Sequence, residues 1–183
     1  MEKDALTAGV SEIGGLFTTA EIRVLICYIF STIDGAVPGN LLANTLHYEG
    51  IANCFEVNDS IDYLCKNGQL EQVDKNEDTY RITKSGKDVA ETLKTTLSVV
   101  VKERAYNAAL KMYSRFKNTK ETDIKISREG DKTFITCSAF DNDTPFMSVK
   151  LLVSDEEQAL HIKEKFLNNP TEIYSTIIDL LTK

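Results

Sequence analysis

The chain has 183 residues, 42% hydrophobic and 27% charged, with 21 Lys/Arg against 28 Asp/Glu and a net charge of −7. That balance excludes wholesale disorder and fibrous repeats, and the length allows one large domain or two small ones. A polyanion binds nucleic acid only where its charge is unevenly spread.

Residues 1–17 read as a loosely ordered lead-in with neither the basic start nor the apolar core of a signal peptide. No apolar run approaches the length that spans a bilayer, so the expectation is a cytoplasmic protein without a membrane partner. Thr18 and Glu21 form a capping box ahead of Ile22, Leu25, Ile26, Ile29, Phe30 and Ile33, which predicts a helix over residues 19–33. Asp34-Gly35 stops it. Pro38 opens a second helix over 38–48 with Leu41, Leu42 and Leu46 inward, and Gly50 ends it. A third helix spans 53–67, with Val57, Ile61 and Leu64 inward and Gly68 at its end.

The period then changes to two. Residues 69–73 and 79–83 form a hairpin around the polar tip Asp74-Lys75-Asn76-Glu77-Asp78. Thr83 caps a fourth helix with Val89, Ala90, Leu93 and Leu97 inward. Three helices, a hairpin and a closing helix make a winged helix-turn-helix domain over 18–97. Within Tyr80-Arg81-Ile82-Thr83-Lys84-Ser85-Gly86, the aromatic anchors the wing strand, Thr caps the next helix and Gly permits close packing.

A connecting helix, assigned to 98–118 as a possible dimerisation element, carries Val99, Val100, Tyr106, Ala109, Leu110, Tyr113 and Phe116. An α+β domain follows over 119–183. Its three antiparallel strands include Ile124 and Ile126, residues 134–140, and Met147 through Val153; turns are expected at Glu129-Gly130-Asp131-Lys132 and Asp141-Asn142-Asp143-Thr144-Pro145. Ser154 with Glu157 is a second capping box, opening a helix with Ala159, Leu160, Phe166 and Leu167 inward. Asn169-Pro170 starts the last helix, with Ile173, Ile177, Leu180 and Leu181 along one stripe and Tyr174 beside it. The fold class is therefore α+β.

The chain resembles a bacterial family known as a domain of unknown function (number 4364), a winged helix followed by a small α+β domain. The likeness rests on residues 80–86 and on the ending from Asp155-Glu156-Glu157-Gln158-Ala159 to Glu172-Ile173-Tyr174. It implies a fold and a role in gene regulation, and supplies no site residues.

The acidic excess sits in one half. Residues 1–97 hold 8 Lys/Arg and 15 Asp/Glu, whereas residues 98–183 hold 13 of each. The third helix presents Glu56, Asp59, Asp62, Tyr63 and Lys66 opposite its apolar side, and acids aimed at phosphates are repelled. A duplex-binding mode remains open, with Lys66, Lys75, Arg81, Lys84 and Lys87 on phosphates, Asn53, Asn58, Ser60 and Asn67 reading bases and Tyr63 among the DNA-facing residues; all could equally be solvated surface. Residues 102–120 hold Lys102, Arg104, Lys111, Arg115, Lys117 and Lys120 against Glu103 alone. They could meet phosphates or an acidic partner surface, and Tyr106, Tyr113 and Phe116 could pair across a two-fold axis or pack on the chain's own C-terminal sheet.

Cys27, Cys54, Cys65 and Cys137 have no C-x-x-C spacing, and Cys27 and Cys137 read as buried thiols. His47 and His161 lack ligand-spaced neighbours, and no nucleophile elbow, P-loop or dinucleotide fingerprint is present. No metal, cofactor or catalysis is expected. The leading reading is a homodimeric winged-helix transcriptional regulator binding double-stranded DNA, weakened by its acidic recognition face; the alternative is an interaction module that uses that face on a protein.

Overall fold

The computed structural model describes residues 15–16 and 18–183. Nearly all of the expected lead-in lies outside these residues. Leu16 is buried and its amide donates to the Ile51 carbonyl at 2.7 Å, so at that point the chain is anchored. The architecture is α+β, with seven α-helices and two three-stranded antiparallel sheets among the described residues. Two compact units divide between Tyr113 and Ser114.

The first unit contains α1 (Thr19–Thr32), β1 (Val37–Pro38), α2 (Gly39–Tyr48), α3 (Cys54–Lys66), β2 (Leu70–Asp74), β3 (Thr79–Ile82) and α4 (Lys84–Leu93). A 3₁₀ turn (Lys94–Thr96) leads to α5 (Val99–Lys120), within which the division between the units falls. Strand β1 adds to the hairpin in the order β1-β3-β2, giving the helix, strand, helix, helix, strand, strand order of a winged helix. The two-residue β1 has no period to reveal it in the sequence. Its Val37 is fully buried opposite Tyr80.

Helix α1 is the hub. Thr18 caps it as expected, accepting from the Glu21 amide at 3.2 Å and donating its hydroxyl to the Glu21 carboxylate at 2.7 Å. Leu25, Ile26, Cys27 and Ile29 are fully buried. Burial pushes the Cys27 thiol up to about 11, which makes it inert. Helices α1, α2 and α3 close on Leu42, Leu46, Val57, Ile61 and Leu64. Leu41, expected inward, points to solvent, because α2 begins at Gly39 and its inner side falls on Leu42, Ala43 and Leu46.

The wing is fastened at both ends. Thr83 accepts from the Gly86 amide and donates its hydroxyl to the Gly68 carbonyl at 2.7 Å. A Cβ on Gly86 would collide with the Gln69 carbonyl oxygen, so that step requires glycine. At the other end Asp78, with φ of 52°, is part of the framework and not of a free acidic tip. Its carboxylate accepts from the Asn40 amide at 2.9 Å and the Tyr80 hydroxyl at 2.8 Å; its carbonyl accepts from the Gly39 amide at 2.8 Å. Helix α2 starts on Pro38, which offers no side-chain cap, so Asp78 supplies the capping carboxylate from 38 residues away.

The second unit is a meander, β4 (Thr122–Glu129), β5 (Lys132–Asp141) and β6 (Thr144–Val153), followed by α6 (Glu156–Asn168) and α7 (Pro170–Thr182). Gly130 and Asn142 take the positive φ of the two tight turns. The second turn is shorter than expected, since Thr144 and Pro145 already pair with β5. Ile135, Cys137, Ala139, Met147 and Val153 pack with Ala159 and Phe166 of α6, supported by Ile173, Tyr174 and Ile177 of α7. Leu160, Leu180 and Leu181, expected inward, are exposed.

The cap of α6 is Asp155, one residue later than expected. Asp155 accepts from the Gln158 amide at 2.7 Å, while the Gln158 side chain accepts from the Ser154 amide at 2.9 Å. The Gln158 amide and then the Ser154 hydroxyl hold the Asp155 carboxyl below its ordinary range.

Three outcomes follow from this packing. Gly86→Ala lowers stability by about 2 kcal/mol or more through overpacking, read from the urea midpoint. Asp78→Ala costs about 2 kcal/mol by removing an acceptor from the Asn40 amide and the part-buried Tyr80 hydroxyl, and exceeds the effect of Asp74→Ala, whose two donors lie exposed in the hairpin turn. A carboxyl depressed on folding stabilises above its unfolded value, and that contribution is lost as pH falls through the folded one. The start of α6 therefore loosens as the pH falls through and below the ordinary carboxylate range, and Asp155→Asn flattens this acid dependence in amide exchange at Gln158.

Candidate interaction surface

Helix α3 determines what the first unit shows to a partner. Its cap, Asn53, accepts from the Phe55 amide at 2.9 Å and is only 5% exposed. Ser60 lies on the inward side and is fully buried. Neither residue can reach a base edge, which corrects their assignment as base readers. On the helical wheel Ser60 borders the arc of Val57, Ile61 and Leu64, about 40° beyond Leu64, a position its polarity disguised. Asn58 is half-buried; Asn67, just past the helix, donates from its side chain to the Tyr63 carbonyl.

Opposite the core, Phe55, Asp59, Asp62 and Lys66 follow one another at i, i+4, i+7 and i+11 along one exposed line. Phe55 is 75% exposed, and Tyr48 at the end of α2 is 87% exposed. Tyr63 flanks the line with the Arg23 guanidinium 3.5 Å from its ring centroid. Glu56 is half-buried beside it. Sequence reasoning recognised the acids but overlooked Phe55 and Tyr48. The signal for Phe55 was present, because it lies off the side defined by Val57, Ile61 and Leu64.

The basic wing residues Lys66, Lys75, Arg81, Lys84 and Lys87 are all exposed. Arg81 and Lys87 line one cleft of about 310 Å³ with Ser31, Thr32 and Asp34. Arg81 sits opposite Glu71 across the hairpin, so a carboxylate faces that cation too.

The basic stripe of α5 is largely engaged within its own unit. In the first unit Lys102 donates to the Lys94 carbonyl, Arg104 to the Glu49 carbonyl, and Tyr113 to the Asp34 carbonyl at 3.2 Å. A Cβ on Gly35 would collide with the Tyr113 hydroxyl. Tyr113 therefore packs within the first unit, against the turn at Asp34 and Gly35. In the second unit Arg115 pairs with Glu164 at 2.7 Å, Lys117 with Glu121 at 3.5 Å, and Lys120 covers Phe116. Tyr106 is half-buried and Lys111 is exposed. The buried residues of α5 are Val101, Ala105 and Ala109, so its inner side is displaced from the expected Val99–Tyr106 line.

Among the described residues no group of His, Cys, Asp and Glu could hold a metal ion, and no helix is long and apolar enough to cross a membrane. A cleft of about 780 Å³ in the second unit sets Arg128 and Lys132 against Asp131, Asp155 and Glu156, a lining of mixed sign.

Residues 22–181 match the family described as "Domain of unknown function (DUF4364)". The chain belongs to that family. No curated protein and no solved structure matches it. The DUF4364 match covers both units, from α1 to α7.

Among the described residues the buried Ser60 hydroxyl has no hydrogen-bond partner. Ser60→Ala is therefore expected to raise stability, by about 1 kcal/mol, in thermal unfolding. Loss of stability would show that the hydroxyl has a partner.

Proposed function

We propose that this chain is a winged-helix regulatory protein that works by binding and not by catalysis, with the outer line of α3 turned to a basic segment of a protein partner. The observation that carries this reading is the line Phe55, Asp59, Asp62 and Lys66. It offers one aromatic anchor and two acids where a duplex reader would offer donors to bases and cations to phosphates. Exposed aromatics ringed by charge are the usual anchors of protein interfaces, and Tyr48 supplies a second one. Acids beside such anchors favour a partner segment rich in Lys or Arg, through charge complementarity.

A second reading is a homodimeric transcriptional regulator on double-stranded DNA. The exposed Arg81, Lys84 and Lys87 favour it, two of them lining one cleft. In this mode the wing and the start of α4 hold phosphates while α3 stays off the groove.

The two readings separate on random-sequence duplex at low and rising salt. Protein binding predicts no measurable duplex affinity at low salt. Asp59→Lys with Asp62→Lys then creates weak duplex binding while abolishing capture of a Lys/Arg-rich, aromatic-containing peptide. Duplex affinity in the native chain, falling steeply with salt and lost in Arg81→Glu with Lys87→Glu, would establish the DNA reading instead.

A further inference from the structure

Among the described residues the sheet of the second unit ends on β4 and β6, with no further strand paired to either, and the two edges differ in character. Strand β4 carries Asp123, Lys125, Arg128 and Glu129 along one edge, a composition that discourages strand pairing. Strand β6, at the other edge, holds one charge in ten residues, Lys150. Phe146, Leu151 and Leu152 are exposed on it. An edge strand has a row of backbone donors and acceptors with no partner in its own sheet, and only another strand satisfies them in register.

We propose that the edge of β6 pairs antiparallel with β6 of a second copy, joining two three-stranded sheets into one of six strands. The sequence of β6 points to a copy of itself as the occupant. Pro145 has no amide hydrogen, so pairing starts at Phe146. A two-fold axis at Val149 then brings Phe146 opposite the other copy's Leu152, Met147 opposite Leu151, and Val149 opposite itself. Lys150 faces Ser148, and the two lysines stay apart. Moving the axis one residue toward Lys150 puts lysine beside lysine and pushes the pairing past Val153. An isologous interface has to be complementary to itself, and this register is. On the same unit α7, whose Tyr174 meets Phe146 edge-on at 5.2 Å, holds Leu180 and Leu181 at 76% and 78% exposure. This inference concerns the second unit and stands apart from the reading of α3.

The test reads mass, neither fold nor activity: sedimentation of the full chain from about 1 to 100 µM, with charge variants at the axis. Ser148 and Lys150 of the other copy are direct neighbours in the proposed pair, on both sides of the axis. Ser148→Lys is expected to weaken the dimer several-fold, and Ser148→Glu to strengthen it by a similar factor. Both substitutions remove the same Ser138–Ser148 contact, so a purely structural role would move them together. Under oxidation Val149→Cys forms a homotypic crosslink, identified by peptide mass. A chain that stays monomeric at 100 µM overturns the proposal. So does a dimer indifferent to the sign of residue 148, or one that forms no crosslink at position 149.

Discussion

One carboxylate ties the first unit together. Asp78 closes the wing tip, accepts the hydroxyl of the core aromatic Tyr80 and caps α2, whose own sequence begins with proline and glycine. Negative charge at a helix start is favourable, and here it comes from a strand instead of from the helix. The same group thus sets where α2 begins, which leucines turn inward, and how the hairpin lies against the helices. Burial, the Asp78 hydrogen bond and its charge together raise the Tyr80 phenol well above its ordinary range, so it remains a donor at any physiological pH.

The distribution of charge has a related logic. Acids and bases that look like free surface in the sequence are partly framework. Asp74 accepts amides of its own turn, Asp78 binds α2, Arg104 holds a carbonyl at the end of α2, and Arg115 joins α6. What stays outward on α3 is small in number and mixed in kind: two aromatic rings, two carboxylates and a lysine. Affinity from such a surface comes from a few anchors in a ring of complementary charge, not from an extended field.

Much of the fold was legible because periodicity and punctuation agree. Thr18 and Thr83 cap as their spacing suggests, Gly86 fills the tight step, and the meander alternates cleanly around Ile135 and Cys137. Other features depend on contacts across the chain. Strand β1 exists because Val37 finds Tyr80, and Asp78 acts on a helix 38 residues earlier; neither leaves a local trace. The shift of the second capping box from Ser154 to Asp155 is a choice between adjacent capping residues that the end of β6 decides. The candidate surface was half legible. The acids of α3 were plain, but burial of Asn53 and Ser60 follows from a cap and from the inward arc of the helix, where small polar residues leave no apolar signature.

The two tight turns of the second unit bear on how it assembles. Gly130 and Asn142 join strands that pair only with their neighbours in sequence, and α6 begins just after the last strand ends. Loop closure at each turn is short, so little chain entropy is lost before pairing returns favourable contacts. Low contact order of this kind goes with rapid folding, and lets the meander form as each hairpin closes without awaiting distant segments.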